Sequence, residues 1–308
     1  MSPPDGTQSS LSFATLDLGA DRFRLYQADA VEWLRSLPDA SIDLIVTDPA
    51  YESLEKHRAK GTTTRLKHSK SSSNDWFPIF PNERFPEFFR ECFRVLKKDR
   101  HFYLFCDPET MFVVKPIAET AGFKFWKPLV WWKVLIGMGY HYRSSYEFVL
   151  FFEKGKRQLV DLGIPDVIAQ RLIRKGWPTQ KPAEVARLLT YQSAPKDGIV
   201  CDPFMGSGSF GVAALHQDCR FVGCDISEKA VTLARSRLEP LEDCDRFEQP
   251  EDPPDGTPGM VTAADEDELH EPRGSHQADP KRTKAERAKP RICPKCKSAW
   301  WDVPKEKS

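Results

Sequence analysis

The stretch Ile42-Asp43-Leu44-Ile45-Val46-Thr47-Asp48-Pro49-Ala50-Tyr51 decides how the chain is read. Its first six residues form an apolar, β-branched run of the kind that makes a buried strand. The run stops abruptly at a carboxylate, a proline and an aromatic ring. In open α/β sheets ligands lie just outside the carboxyl ends of the strands, so Asp48 and Tyr51 fall where chemistry is done. The same four residues also satisfy a plain proline turn with a solvated Asp, and the rest of the chain decides between the two.

On either side of this strand the pattern alternates. Residues 23–27 read as a strand that ends near Asp29, and residues 30–37 place their apolar positions at helical spacing until Pro38 and Asp39 stop them. Asp29 is thus a second carboxylate at a strand end, and equally a helix N-cap. A helix is predicted from Asn82, carried by Phe85, Phe88, Phe89, Cys92, Phe93 and Leu96. A strand over 101–106, a helix over 109–121, and strands over 123–134 and 146–152 follow. Thr179-Gln180-Lys181-Pro182 opens a helix over 183–193, and a strand over 198–201 leads into Asp202-Pro203-Phe204-Met205-Gly206-Ser207-Gly208-Ser209-Phe210-Gly211. A helix from about Ser209, a strand over 220–224 ending at Asp225, and a helix over 228–238 complete the pattern. Strands alternating with helices predict an α/β fold with a mostly parallel sheet covered on both faces. The two late strands with a short connection predict an antiparallel edge hairpin.

With 308 residues and 40% hydrophobic content the chain can bury one sizeable core without disulfides. Eight cysteines have no framework spacing, and there is no leader or membrane-length apolar run, which places the protein in a reducing cytoplasm with no membrane partner. Acidic and basic residues balance at 45 each, so nucleic acid is permitted without being indicated by the total. A local cluster is more informative. Residues 52–73 form a long polar stretch directly after Tyr51 that carries Lys56, His57, Arg58, Lys60, Arg65 and Lys67, which suits gripping the phosphates of a polyanion. Residues 1–20 are small and polar and read as a flexible N-terminus, leaving 21–240 as the folded domain. Residues 241–290 have the Asp/Glu/Pro/Gly composition of a disordered linker. Within 291–308, Cys293 and Cys296 make half of a zinc site; zinc needs four ligands and no second pair follows, so no metal is assigned.

Gly206, Gly208 and Gly211 satisfy GxGxxG with an acid, Asp225, ending the next strand, so a dinucleotide has to be weighed. Asp202 argues against it, since a carboxylate just before the turn would oppose a pyrophosphate. A ligand with an ammonium group, a ribose and no phosphate fits better. S-Adenosyl-L-methionine is such a ligand: its amino acid head can meet Asp202 and the glycine backbone, its ribose Asp225, and its adenine amino group Asp29.

Taken together these residues resemble the amino-group DNA methyltransferases that modify adenine N6 or cytosine N4. Asp48-Pro49-Ala50-Tyr51 is similar to the family's catalytic tetrapeptide, usually DPPY; Asp202 to Gly208 matches its DPFxGSG cofactor loop; Thr179 to Pro182 matches its TQKP segment. The catalytic motif precedes the cofactor motif, as in the permuted β group. The resemblance implies a Rossmann-like S-adenosylmethionine-dependent methyltransferase fold. It further implies that Asp48 and the Pro49 carbonyl accept hydrogen bonds from the target amino group and that Tyr51 stacks on a flipped base. Cofactor contacts are implied for Asp29, Ala30, Lys181, Asp202, Phe204, Gly206, Ser207, Gly208 and Asp225. An Asp at the first motif position favours adenine, with cytosine N4 the near alternative. A dinucleotide-dependent oxidoreductase and a non-enzymatic nucleic-acid-binding module are the alternatives from other classes. Ala50 departs from the usual second proline, and residues 157–178 are a short insert where a recognition domain would be larger. DNA is the expected partner; a homodimer and a cognate restriction enzyme are left open.

Overall fold

The computed structural model describes residues 16–53, 78–137, 142–173 and 180–242, and the backbone at Arg291–Ile292 and Ala299–Trp300. Contacts divide the chain into two units, Met1–Asp243 and Cys244–Ser308. In the second, β9 (Arg291–Ile292) pairs antiparallel with β10 (Ala299–Trp300); Cys293 and Cys296, and the predicted linker, lie outside the described residues.

The first unit is built on one sheet. Its strands are β1 (Phe23–Gln27), β2 (Ile42–Thr47), β3 (Leu96–Cys106), β4 (Lys124–Trp132), β5 (Tyr146–Lys154), β6 (Val167–Ala169), β7 (Ile199–Asp202) and β8 (Arg220–Asp225). They lie in the order β1-β8-β7-β2-β3-β5-β4-β6. The pairs from β1 to β3 are parallel, and β5 runs antiparallel to both β3 and β4. The predicted hairpin is therefore present near one edge, with an addition the sequence did not reveal. The three-residue β6, from the insert, pairs parallel with β4 and forms the outermost strand.

All six residues of β2 are buried, as a central strand covered on both faces requires. The helices that cover it are α1 (Ala30–Ser36), α2 (Phe85–Val95), α3 (Pro108–Thr120), α4 (Ala183–Ser193), α5 (Ser209–His216) and α6 (Glu228–Glu242). They form two packed groups, α1 to α3 and α4 to α6. Their starts follow from side-chain caps: Asp29 accepts from the Val31 and Glu32 amides to open α1, and Asp107 accepts from Thr110 N to open α3, with Pro108 in its first turn. In α2 the residues Phe85, Phe88, Phe89, Cys92 and Val95 are all buried, the apolar stripe of a helix laid on a sheet.

Two boundaries differ from the sequence reading. Strand β3 begins at Leu96, directly after α2, five residues before the predicted start. Its charged opening hid it: Lys97 Nζ and Arg100 Nε contact Asp43 at 2.8 and 3.0 Å, and Ile199 N donates to the same buried carboxylate at 3.1 Å. These partners hold the Asp43 carboxyl below the usual range against the burial that opposes them. Helix α6 runs on to Glu242 past Pro240.

The core beneath α2 is aromatic. Phe102 on β3 packs against Phe89, Phe123 and Phe152 with ring centroids 5.2–5.7 Å apart, and five cysteines are buried as free thiols. Phe102→Ala leaves a cavity among rings that cannot close over it. It should cost about 3–5 kcal/mol, read as a lower denaturation midpoint with an unchanged m-value.

Candidate active site

Strands β2 and β7 lie side by side, yet the chain leaves β2 towards β3 and leaves β7 towards β8, in opposite directions across the sheet. Among the described residues a crevice opens over their carboxyl ends. It is a cavity of about 470 Å³, of the size that holds small-molecule ligands. Asp48, Pro49, Ala50 and Tyr51 line it, together with Asp202, Phe204, Gly206, Ser207 and Asp225 and, from the segment after β1, Asp29 and Ala30.

Asp202 joins the two halves. Its Oδ1 accepts from Thr47 Oγ1 across the strand pair at 2.6 Å and from Phe204 N at 3.0 Å. Its Oδ2 is sealed from solvent and has no hydrogen-bond partner among the described residues. Burial pushes the Asp202 carboxyl up to about 8. A buried acceptor left unpaired is costly, and a cationic donor bound in the cavity would satisfy it. The turn that follows is made by Gly206 and Gly208, at φ +48° and +73°. Gly206 N donates to Asp225 Oδ2 at 3.0 Å and Ser227 N to Oδ1 at 2.8 Å; burial still raises the Asp225 carboxyl. Gly208 does not line the cavity. It backs the turn against α6, where an added Cβ would sit 2.9 Å from Ala234 Cβ.

Asp29 is also at the cavity wall, but both of its oxygens are occupied. Oδ1 takes the α1 amides, and the Arg84 guanidinium grips the two oxygens as a fork at 2.7 Å each. That fork is the main cause of an Asp29 carboxyl held below its ordinary value. Arg84 lies over the Phe80 ring at 5.3 Å, and nothing in the sequence marked it.

Lys181 stands with the catalytic tetrapeptide. Its Nζ contacts Asp48 Oδ2, lies 3.1 Å from Glu147 Oε1, and lies 5.1 Å from the centroid of the Phe105 ring. Glu147 Oε2 in turn meets Lys133 Nζ at 3.0 Å. The two carboxylates therefore differ. Burial raises both, but Glu147 has two lysines and is held below its ordinary value, whereas Asp48 shares one and is pushed up to about 6. The paired carboxylates keep Lys181 charged, above its ordinary value despite burial. Tyr51 is raised well above its usual value, chiefly by burial, and stays a neutral phenol. Glu147 and Lys133 escaped the sequence reading; the available signal was an acid at the second position of β5, directly before its apolar run.

The turn at Ala50 is fixed from the far side of the basic segment. Phe80 N donates to Ala50 O at 2.7 Å, Tyr51 bridges to Phe80, and the Glu52 carboxylate takes Asn82 N and Nδ2 at 2.8 and 2.9 Å. Lys56, His57, Arg58, Lys60, Arg65 and Lys67 lie between these clamps, outside the described residues.

An α/β sheet with a ligand crevice at its switch point, two carboxylates converging on it from adjacent strands, defines a Rossmann-like enzyme that binds a small cofactor. Residues 42–236 match the N6/N4 DNA methylase family, and the chain belongs to it. It is an amino-group DNA methyltransferase, and S-adenosyl-L-methionine is its methyl donor. Among curated relatives, the type II methyltransferase M.HpaI of Haemophilus parainfluenzae is 24% identical over 244 residues, covering 70% of this chain and 74% of its own. Among solved structures, the M1.HpyAVI–SAM complex is similar at a TM-score of 0.52 and 18% identity, covering 70% of this chain and 98% of its own. The cytosine-N4-specific PvuII DNA methyltransferase gives 0.54 at 14%, covering 71% and 88%. The orphaned Asp202 Oδ2 is the feature of this chain that fits the donor's ammonium group.

Asp202→Asn keeps the Thr47 and Phe204 contacts and removes the charge. Titration calorimetry at pH 9, where the free carboxyl is ionised, should find S-adenosyl-L-methionine bound roughly 10- to 100-fold more weakly, the worth of a charge-assisted hydrogen bond at about 1.5–3 kcal/mol. Because the folded carboxyl lies above its unfolded value, its neutral form favours folding and that contribution is lost progressively as pH rises from the ordinary carboxyl value of 3.8 to about 8. The free wild-type protein should therefore lose thermal stability between about pH 4 and pH 8 more steeply than Asp202→Asn does, and the two should run parallel above that.

Proposed function

We propose that the protein transfers the methyl group to the exocyclic N6 of adenine in DNA, on a base turned out of the duplex into the crevice. The observation that carries this reading is the state of Asp48. Among the described residues Lys181 engages its Oδ2, no hydrogen bond is made to Oδ1, and Asp48 lines the cavity beside Pro49. An exocyclic amino group offers two hydrogens, and Asp48 Oδ1 and the Pro49 carbonyl supply two acceptors. Accepting both hydrogens turns the nitrogen lone pair out of conjugation with the ring and towards the donor, which lowers the barrier through orientation and electrostatics. When bound, S-adenosyl-L-methionine supplies an electrophilic methyl on a sulfonium. Nitrogen gains the methyl and must lose one proton; Asp48, raised to about 6, is matched to accept it near neutral pH. Tyr51, neutral and 8% exposed at the cavity wall, is the ring placed to stack on the flipped base.

Asp rather than Ser at the first motif position supports adenine over cytosine N4. The likeness to M.HpaI, a type II methyltransferase, supports a modification role beside a cognate restriction enzyme. The basic segment 52–73 supports a grip on DNA phosphates through Lys56, His57, Arg58, Lys60, Arg65 and Lys67.

Labelled methyl from S-adenosyl-L-methionine should enter plasmid DNA and be recovered as N6-methyladenine; recovery as N4-methylcytosine would overturn the base assignment. Asp48→Ala should reduce transfer at least a thousandfold while cofactor affinity stays within about twofold. With cofactor saturating, the wild-type single-turnover rate should fall about tenfold per pH unit below roughly pH 6, as protonation of Asp48 removes the acceptor.

A further inference from the structure

Lys181 has three ammonium hydrogens and three neighbours in fixed directions: Asp48 Oδ2, Glu147 Oε1 at 3.1 Å and the face of Phe105 at 5.1 Å. Its side chain is 6% exposed and Glu147's 10%. The second oxygen of Glu147 is held 3.0 Å from Lys133 Nζ, the outermost member of the chain at 26% exposure. Glu147 sits on β5 and Lys133 directly follows β4, whose register with β5 sets Trp131 opposite Glu147, so the antiparallel hairpin delivers both charges to the carboxyl end of β2. We propose that Glu147 is a positioning residue for methyl transfer: braced by Lys133, it holds the Lys181 ammonium on Asp48 Oδ2 and away from Oδ1, keeping Oδ1 available to the target amino group. This rests on the reading of Asp48 as the acceptor.

The charge sharing has a directional consequence. Glu147 withdraws part of the Lys181 charge from Asp48 and adds a negative field of its own, so it keeps the Asp48 carboxylate basic; Lys133 acts in the opposite sense, through Glu147 and directly. The other titratable groups about this site are Tyr51 on the catalytic turn, Cys106 and Asp107 at the end of β3, and Asp202 on β7. Burial keeps Tyr51 and Cys106 protonated, leaving the lysines and Glu147 to set the balance at Asp48.

The test is the pH profile of single-turnover methyl transfer to plasmid DNA with the full chain and saturating cofactor. Glu147→Gln should slow transfer at pH 7.5 by tenfold or more and move the acidic fall-off to lower pH, because Lys181 then belongs to Asp48 alone. Lys133→Met should move the fall-off to higher pH. Cofactor affinity should change by less than twofold in both. Opposed shifts are what a merely structural role would not produce. A Lys133→Met fall-off unmoved or moved downward overturns the proposal, even where Glu147→Gln is too slow to profile. Wild-type protein that transfers no methyl to DNA would instead overturn the acceptor reading beneath it.

Discussion

The site depends on one adjacency, β2 against β7. Parallel neighbours whose onward connections diverge leave a crevice at their carboxyl ends, lined here by described residues of both strands' ends. Each strand ends in a carboxylate, Asp48 on one and Asp202 on the other, and the Thr47 hydroxyl ties the pair of strands together at 2.6 Å from Asp202. The helices on both faces exclude water from the strand ends, so the carboxylates at the gap are desolvated by the same packing that stabilises the sheet. Raised carboxyls here follow from fold geometry, and they are also what a cationic donor and an amino-group acceptor need.

Desolvation has been compensated unequally, and the inequality separates the roles. Asp43, on the same strand β2 but at its opposite end, is fully satisfied by Lys97, Arg100 and the Ile199 amide. It has no open valence and acts as a joint between β2, β3 and β7. Asp29 is likewise saturated by α1 and Arg84. Asp202 keeps one oxygen unpartnered, and Asp48 has only a shared lysine. Buried Trp33 Nε1 and Arg220 Nε, away from the cavity lining, are also without a hydrogen-bond partner, so it is the meeting of open carboxylate acceptors with a cavity, and not an orphaned atom alone, that sets Asp202 and Asp48 apart.

The sheet was legible because parallel strands buried on both faces are short apolar runs, and because caps such as Asp29 and Asp107 punctuate them. The catalytic turn and glycine loop were legible because each packs its chemistry into four to seven consecutive residues. Lys181, Glu147 and Lys133 were not legible as a unit, since they come from three separate stretches of chain and meet only after the hairpin has docked; periodicity carries no information about contacts across 14 positions (Lys133 to Glu147) or 34 (Glu147 to Lys181). Strand β3 was truncated in the reading because its first residues are charged for pairing with Asp43. The insert hid β6 for a related reason: three residues are too few to set a period.

Ala50 can be weighed in the same terms. A second proline would stiffen the turn from within, by fixing its own φ and removing an amide hydrogen. Here the stiffening comes from outside, through Phe80 N on Ala50 O, the Tyr51 bridge and the Glu52 grip on Asn82. These bonds also pin the two ends of the segment that carries the basic cluster. The Asp48–Tyr51 turn and the residues flanking that segment thus share one set of hydrogen bonds. A proline at position 50 would keep the carbonyl that accepts from Phe80 N, so the alanine gives up only the ring's fixed φ, and the hold on the turn from outside does not depend on that exchange.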